Sequence, residues 1–428
     1  MLLRLKASFN MERRKLIIAG GGFAGVQIAR HLDEKLFDVL LIDKVNHHMF
    51  QPLFYQVATS QLEPSSISFP LRKIFQNKKN VQIRLAEVTG VEPDTNTVLT
   101  SIGNFSYDYL VLATGCKTNF FGNEVLMKNS LALKSTYDAI KIRNEVLQGF
   151  EDLLSADEPE KEYLLNIVIV GAGPTGVELA GAFAEIRKHV LPKDFPLLDL
   201  KDLKIILLEG GPHTLNTMSD LARKTSEKYL IKMGVDIRKN IFVKNFDGRT
   251  VLLSDGSTIK SRKIIWTAGI TGNLVKGIRE DAILKNSRII VDRYNLVEGY
   301  RNIYAVGDLA YMETPKYPHG HPQVANVAIN QAKNLAKNLK YQLQQKPMKQ
   351  YEYRNLGTMA TVGQNKAVVD LPFMRFKGYF AWLVWMFLHL MLILSVRNKL
   401  IIFINWAWSY ISRDTSLRLI LKDTDNAR

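Results

Sequence analysis

Apolar positions along this 428-residue chain fall into two kinds of run. Leu16–Ala19, Val39–Ile42, Ile167–Val170 and Ile205–Leu208 are short and unbroken, the texture of strands buried on both faces of a parallel sheet. Three further strand-like runs end in small-residue turns: Tyr109 to Gly115, Ile264 to Gly269, and Ile303 to the Gly307-Asp308 pair. The C-terminal pattern is different. Gly378 to Val396 is 19 residues without a formal charge, Arg397 and Lys399 interrupt, and Leu400 to Ser412 is apolar again with Trp406 and Trp408. Strand runs alternating with helix-compatible stretches predict an α/β fold, and the length predicts two or three domains.

Two of the strand runs lead directly into glycine loops. Leu16–Ala19 is followed by GGGFAG, with Gly20, Gly22 and Gly25 in a G-x-G-x-x-G spacing, and Ile167–Val170 by GAGPTG, with Gly171, Gly173 and Gly176. In such a loop the first glycine permits a tight turn and the second admits a pyrophosphate to the backbone. The third lets helix and strand pack closely, and the helix N-terminus faces the phosphates. An acid at the end of the next strand suits a ribose hydroxyl. Asp43 stands 23 positions after Gly20, near the usual spacing. Glu209 stands 38 positions after Gly171, and the excess is read as an extension over residues 188–203, which contains Pro192 and Pro196. Neither loop continues into Lys-Ser or Lys-Thr, which excludes a Walker A phosphate loop. Two dinucleotide sites in one chain point to hydride transfer between a nicotinamide and a flavin. A carboxylate at Glu209, with Gly210 and Gly211 after it and no arginine, favours NADH over NADPH.

Composition narrows the chemistry. The ordinary apolar fraction and 41 aromatic residues exclude disorder as the main state. Cys116 is the one cysteine, which excludes a disulfide framework, a cysteine-based zinc or iron–sulfur site, and an internal redox dithiol; it is read as a packing residue near the flavin. No secretory signal is visible, and Met11 is an alternative start. A net charge of +16 calls for an anionic partner. Between Leu371 and Arg413 there are five basic residues (Arg375, Lys377, Arg397, Lys399, Arg413), no acid, and several tryptophans, a pattern suited to a lipid headgroup layer and not to a nucleic-acid groove. From the residues alone this stretch fits one transmembrane helix, two interfacial helices or a buried dimerisation helix.

The two fingerprints and the three turn-ending runs resemble the flavoprotein pyridine-nucleotide reductases. Residues 46–59 (NHHMFQPLFYQVAT), GPTGVELAG from Gly173 to Gly181, WTAG from Trp266 to Gly269 and FKGYFAWLVW from Phe376 to Trp385 resemble one family in particular, the type II NADH dehydrogenases. The resemblance implies FAD bound non-covalently at Gly20, Gly22, Phe23, Ala24, Gly25, Asp43, Lys44, Thr114, Gly115, Gly307, Asp308 and Ala325. It implies NADH at Gly171, Gly173, Thr175, Gly176, Glu178, Glu209, Ala268 and Gly269. Quinone is the implied second substrate, with Glu178, Asn326, Asn330 and Lys377 carrying the chemistry and no metal. An FAD domain over 12–120 and 271–345 would be interrupted by an NADH domain over 121–270, with a membrane-anchoring and dimerisation region at 346–428. The resemblance further implies a homodimer seated monotopically on the anionic cytoplasmic face of the inner membrane.

Several positions carry plainer readings beside these. Glu178 also suits the dipole of its helix, and Lys377 suits a lysine snorkelling at an interface. His319 and His321 flank Gly320 without acidic or cysteine partners and are read as loop residues. The quinone-side motif of the family, Ala-Gln-x-Ala-x-Gln, reads Ala325-Asn326-Val327-Ala328-Ile329-Asn330 here; each asparagine keeps the amide but is one methylene shorter, which puts quinone affinity in question. Gln323 and Gln331 lie out of register with it. Two rivals remain at this stage: a soluble NAD(P)H-dependent reductase of an electron-carrier protein, and a flavoprotein resembling apoptosis-inducing factors whose redox activity is incidental.

Overall fold

The computed structural model describes residues 12–414 and 417–421, so the alternative start at Met11 lies outside the described residues. The chain forms two compact units. The first contains residues up to 48, 70–117 and 271–354; the second contains 49–69, 118–270 and the residues from 355 on.

The first unit is built on a five-stranded parallel sheet in the order Ile303–Ala305, Tyr109–Leu112, Arg14–Ala19, Phe37–Asp43, Val81–Leu85. The strand Arg14–Ala19 is central, and the chain leaves it first to one side and later to the other. Its carboxyl end is therefore the topological switch point at which open α/β sheets bind ligands. Register places the chemistry there: Ala19 pairs with Ile42 and with Leu112, and Leu112 with Ala305. Gly20, Asp43, Ala113 and Val306 thus emerge from one edge of the sheet. The middle of the sheet is closed to solvent, with Leu16, Ile18, Leu41, Leu110 and Ile303 fully buried, while the edge strand Val81–Leu85 is largely exposed. The helices Phe23–His31 and Ala325–Leu343 pack against each other beside this edge.

The second unit repeats the plan. Its parallel sheet runs Leu131–Ala132, Lys263–Trp266, Asn166–Val170, Lys204–Glu209, Val235–Lys239. Val170 pairs with Leu208 and with Trp266, so Gly171, Glu209 and the Thr267–Gly269 turn share its carboxyl edge. The long spacing between Gly171 and Glu209 has a simple origin. The helix after the second loop, Pro174–His189, has 16 residues against 9 in Phe23–His31, and a short helical turn, Leu191–Asp194, follows it before the strand.

The same unit carries the short helix Phe54–Ala58 and the C-terminal part of the chain. There an antiparallel sheet of Thr358–Thr361, Ala367–Asp370 and Arg375–Lys377 leads into two helices, Tyr379–Leu392 and Val396–Ser412. The uncharged stretch is thus divided: Ile393 turns to extended backbone and Ser395 caps the next helix in the same conformation. At 1.5 Å per residue the 14-residue first helix is ~21 Å long, short of the ~30 Å hydrocarbon core. Among the described residues no helix is long and apolar enough to cross a membrane. The single-span reading of the sequence therefore finds no helix here.

Candidate active site

The first glycine loop has the geometry its composition predicts. Gly20 takes a φ of +109°, and a Cβ there would collide with the carbonyl of Ala113. A Cβ on Gly25 would strike the carbonyl oxygen of Gly20. Nothing lies within 4 Å of the missing Cβ of Gly22, so the bare face of the second glycine is open. Gly22 is also the N-cap of Phe23–His31 and offers no side chain to it. The start of this helix, at Phe23 and Ala24, therefore lies beside the open face of Gly22, the arrangement in which a helix N-terminus receives a phosphate. Asp43 braces the loop: Oδ2 accepts the Gly21 N–H at 2.5 Å and Oδ1 accepts that of Val45 at 2.8 Å. Burial pushes its carboxyl up, and these two N–H donors oppose the push. Lys44 is exposed.

Around that edge the remaining candidates of the first unit are tied to one another. Thr114 Oγ1 donates to the Asn273 carbonyl at 2.6 Å, and Gly115 accepts from Asn273 N–H at 3.0 Å. Gly307 has a φ of +70° and donates its N–H to Gln331 Oε1 at 2.8 Å. Gln323 Nε2 donates to the Asp308 carbonyl at 2.9 Å. The two glutamines out of register with the quinone-side motif are therefore the ones that hold the Gly307-Asp308 turn. Cys116 is more than packing, because its Sγ donates to Asp308 Oδ2 at 2.9 Å. Ala325 opens the helix Ala325–Leu343, whose N-cap, Val324, gives no side-chain bond. Asn326 and Asn330 are half-buried one turn apart and bond each other, Asn330 Nδ2 donating to Asn326 Oδ1 at 2.6 Å. Arg288 is a buried cation absent from the sequence reading; its Nη2 donates to the carbonyls of Ala310 and His321. His321 sits buried among Tyr317, Tyr351 and Tyr353, while His319 is exposed.

The second loop repeats the plan of the first. Gly171 has a φ of +98°, a Cβ on Gly176 would strike the Gly171 carbonyl oxygen, and nothing lies within 4 Å of the bare face of Gly173. Gly173 caps the helix without a side chain and Pro174 starts it, where a missing N–H costs nothing. Thr175 is exposed in the first turn. Glu209 matches Asp43: Oε2 accepts the Ala172 N–H and Oε1 the Gly211 N–H, both at 2.7 Å. Thr267 Oγ1 donates to the Val170 carbonyl at 2.8 Å, and Trp266 Nε1 donates to the carbonyls of Asn119 and Ala268 at 2.9 Å. Gly269, at a φ of +85°, accepts from the Asn119 N–H. Both loops have the residues, the open glycine face and the uncapped helix start that a dinucleotide requires.

Glu178 lies on the helix beyond its first turn and is buried. Burial pushes its carboxyl up to about 8, against one backbone bond from Thr361 N–H at 3.4 Å. It faces a cavity of about 90 Å³ within the second unit, together with Tyr55, Gln56, Glu185, Trp385 and Trp406. A polar chain runs through this wall. Trp406 Nε1 donates to Gln56 Oε1 at 2.8 Å, Gln56 Nε2 donates to the Tyr55 hydroxyl at 2.9 Å, and that hydroxyl meets Thr361 Oγ1 at 3.1 Å. Burial, then the charge of Glu178, pushes the Tyr55 phenol up, so it stays neutral. Tyr55 and Gln56 lie within the family signature at residues 46–59, whose letters alone assign neither a role. Lys377 is exposed at the end of its strand and does not line this cavity.

The profile of the pyridine nucleotide-disulphide oxidoreductases matches residues 14–332, and that of the NDH2 C-terminal domain matches 355–414. The type II NADH:quinone oxidoreductase Ndh of Mycobacterium tuberculosis is 33% identical over 425 residues, spanning 94% of this chain and 89% of the relative. The mitochondrial external NADH-ubiquinone oxidoreductase 2 of Saccharomyces cerevisiae is 28% identical, spanning 95% and 83%. Among solved structures, NDH2 from Plasmodium falciparum in complex with NADH has the same fold, with a TM-score of 0.87 at 21% identity over 96% of this chain and 100% of that one. The sulfide:quinone oxidoreductase of Aquifex aeolicus follows at 0.70, with 21% identity over 90% and 92%. With matched glycine loops, one cysteine and these relatives spanning nearly its whole length, the chain belongs to the type II NADH:quinone oxidoreductases, within the pyridine nucleotide-disulphide oxidoreductase family.

Proposed function

We propose that this chain is a respiratory NADH:quinone oxidoreductase that converts NADH, a proton and a membrane quinone into NAD⁺ and quinol without pumping protons. The observation that carries the reading is the pair of loops in which Asp43 and Glu209 make the same two backbone bonds beside open glycine faces. When bound, FAD supplies a two-electron carrier between the two substrates. In the first unit Gly20, Gly22, Gly25, Phe23 and Ala24 hold its pyrophosphate. Asp43 and Lys44 hold the adenosine end, and Thr114, Gly115, Gly307, Asp308 and Ala325 hold the rest. In the second unit Gly171, Gly173, Thr175 and Gly176 hold the pyrophosphate of NADH, and Glu209 takes its ribose. Ala268 and Gly269 bound the nicotinamide end, and Glu178 holds a proton beside it. With one cysteine in the chain, electrons pass to the acceptor without a protein dithiol. Asn326, Asn330 and Lys377 take the quinone side.

The C-terminal helices supply the membrane surface in this reading. Phe380, Phe387, Leu400, Phe403, Ile404, Trp408 and Ile411 are exposed on these two helices, with Arg397, Lys399 and Arg413 near them in the chain. Such a face suits helices lying in an anionic headgroup layer. We place the protein on the cytoplasmic face of the inner membrane, as a homodimer.

Anaerobic NADH is expected to bleach the flavin of the purified holoprotein, and a quinone carried in anionic vesicles to restore its colour as the protein sediments with them. A flavin that stays bleached with quinone but recovers with a redox carrier protein returns the assignment to the soluble reductases. Donor choice is a second expected result. With Glu209 taking the ribose, its carboxylate repels a 2′-phosphate, and NADH should exceed NADPH in kcat/KM by roughly 100-fold, the scale of a like-charge clash. Comparable values for the two donors would refute the role given to Glu209.

A further inference from the structure

We propose that Glu185 and His189 form the outer steps of a proton path that feeds Glu178 from solvent. The proposal rests on the function given above, because that reaction consumes one proton per NADH and Glu178 is buried. The geometry comes from a single helix. Glu178, Ala182, Glu185 and His189 occupy one stripe of Pro174–His189, and all four line the same cavity. Seven and four residues separate the titratable members, rises of ~10 Å and ~6 Å along the axis. Exposure increases outward, from buried Glu178 to half-buried Glu185 and His189. The cavity of about 90 Å³ accepts several waters, each needing at least ~10–15 Å³ of such space.

Each carboxyl is held by one oxygen. Thr361 N–H donates to Glu178 Oε1 and Gln364 N–H to Glu185 Oε1, and among the described residues no protein donor reaches the second oxygen of either. The groups facing Glu185 are Lys366 from the hairpin turn, Lys188 on its own helix, and Tyr55 from Phe54–Ala58; Tyr410 and Arg413 of the C-terminal part line the same cavity. Burial pushes the Glu185 carboxyl up, with Lys366 and Lys188 opposing. Burial lowers His189, helped by Lys188, Arg413, Lys193 and Lys366, so its ring is neutral near pH 7 and free to pass a proton on. A proton entering at the His189 end moves by way of water to Glu185 and then to Glu178, Glu178 yields the one proton that the reaction consumes as quinone becomes quinol, and each group regains its proton from the next one outward.

The plainer role of Glu185 is to clamp the hairpin through Gln364 N–H, and Glu185→Gln separates the two. Glutamine keeps the accepting oxygen and cannot carry a proton. Holoenzyme reduced anaerobically by NADH and mixed with a short-chain quinone should reoxidise about ten-fold or more slowly in E185Q, the lower range for loss of a proton-transfer group. The loss should grow with pH, and added acetic acid should reverse it, while bleaching by NADH stays within two-fold of the parent (a bound set by ordinary scatter between variants). A readout without turnover accompanies it: the infrared carboxyl band of Glu178 should exchange its proton for deuterium more slowly in E185Q. His189→Gln, at the open end, should show the same signature with a smaller loss. Parental reoxidation in both variants, or a slow E185Q that weak acid does not rescue, overturns the path. A parent enzyme that quinone fails to reoxidise overturns the underlying function instead.

Discussion

Replacing Glu178 by glutamine should raise the melting temperature of the holoprotein at pH 8 and above while removing most of its quinone reductase turnover. Burial holds this carboxyl near 8 in the folded chain against an ordinary 4.5. Below about pH 4.5 it is protonated whether the chain is folded or not, and parent and variant should melt alike. As the pH rises towards 8, the unfolded chain releases the proton and the folded one retains it, so the parent alone loses stability. Above 8 the penalty holds at its full size, on the order of a few kcal/mol. Glutamine has no proton to lose and escapes it. In the role proposed for Glu178 turnover moves the other way: loss of a proton donor costs about 10²-fold or more. Melting curves across pH 4–9 and steady-state rates test the two halves separately. A variant that melts no higher than the parent at pH 8 would place the charged form in solvent and end this account of the carboxyl.

Gly176→Ala should slow bleaching of the flavin by NADH by at least ~100-fold, the scale of a misplaced substrate. The added methyl meets the carbonyl oxygen of Gly171 and lies about 3.0 Å from Thr267 Oγ1, so the loop must open by moving backbone. FAD should stay bound, since its proposed loop at Gly20 belongs to the other unit. Stopped-flow bleaching beside the flavin absorbance of the purified variant measures both. Bleaching within ten-fold of the parent, with the fold intact, would remove the second loop from NADH binding.

What could be read from the residues was whatever the backbone demands of residue type. Only glycine suits Gly20 and Gly171, where φ is positive and a Cβ meets a carbonyl or the backbone of the next turn, so both loops stand out in the letters. Glu209 was reachable despite its spacing because the end of a strand defines its place better than a residue count does. The cavity wall was not readable in this way. Tyr55 meets Thr361 across 306 residues and Trp406 meets Gln56 across 350, and neither pair leaves a periodic trace. Gln331 lies out of register with the motif that favours Asn326 and Asn330, yet its carbonyl oxygen is the one that takes the Gly307 N–H. Neither proline nor glycine marks the bend between the last two helices, which follows from backbone at Ile393 and Ser395.

The bond from Trp406 to Gln56 also sets an order of assembly. During synthesis Gln56 leaves the ribosome long before its indole partner exists, and the segment 49–69 must wait while more than three hundred further residues are translated. Contacts of such high sequence separation form late and slowly, because loop closure precedes any reward. The wall around Glu178 is therefore among the last parts of the molecule to mature, and it does so only when the C-terminal helices that complete it have themselves emerged.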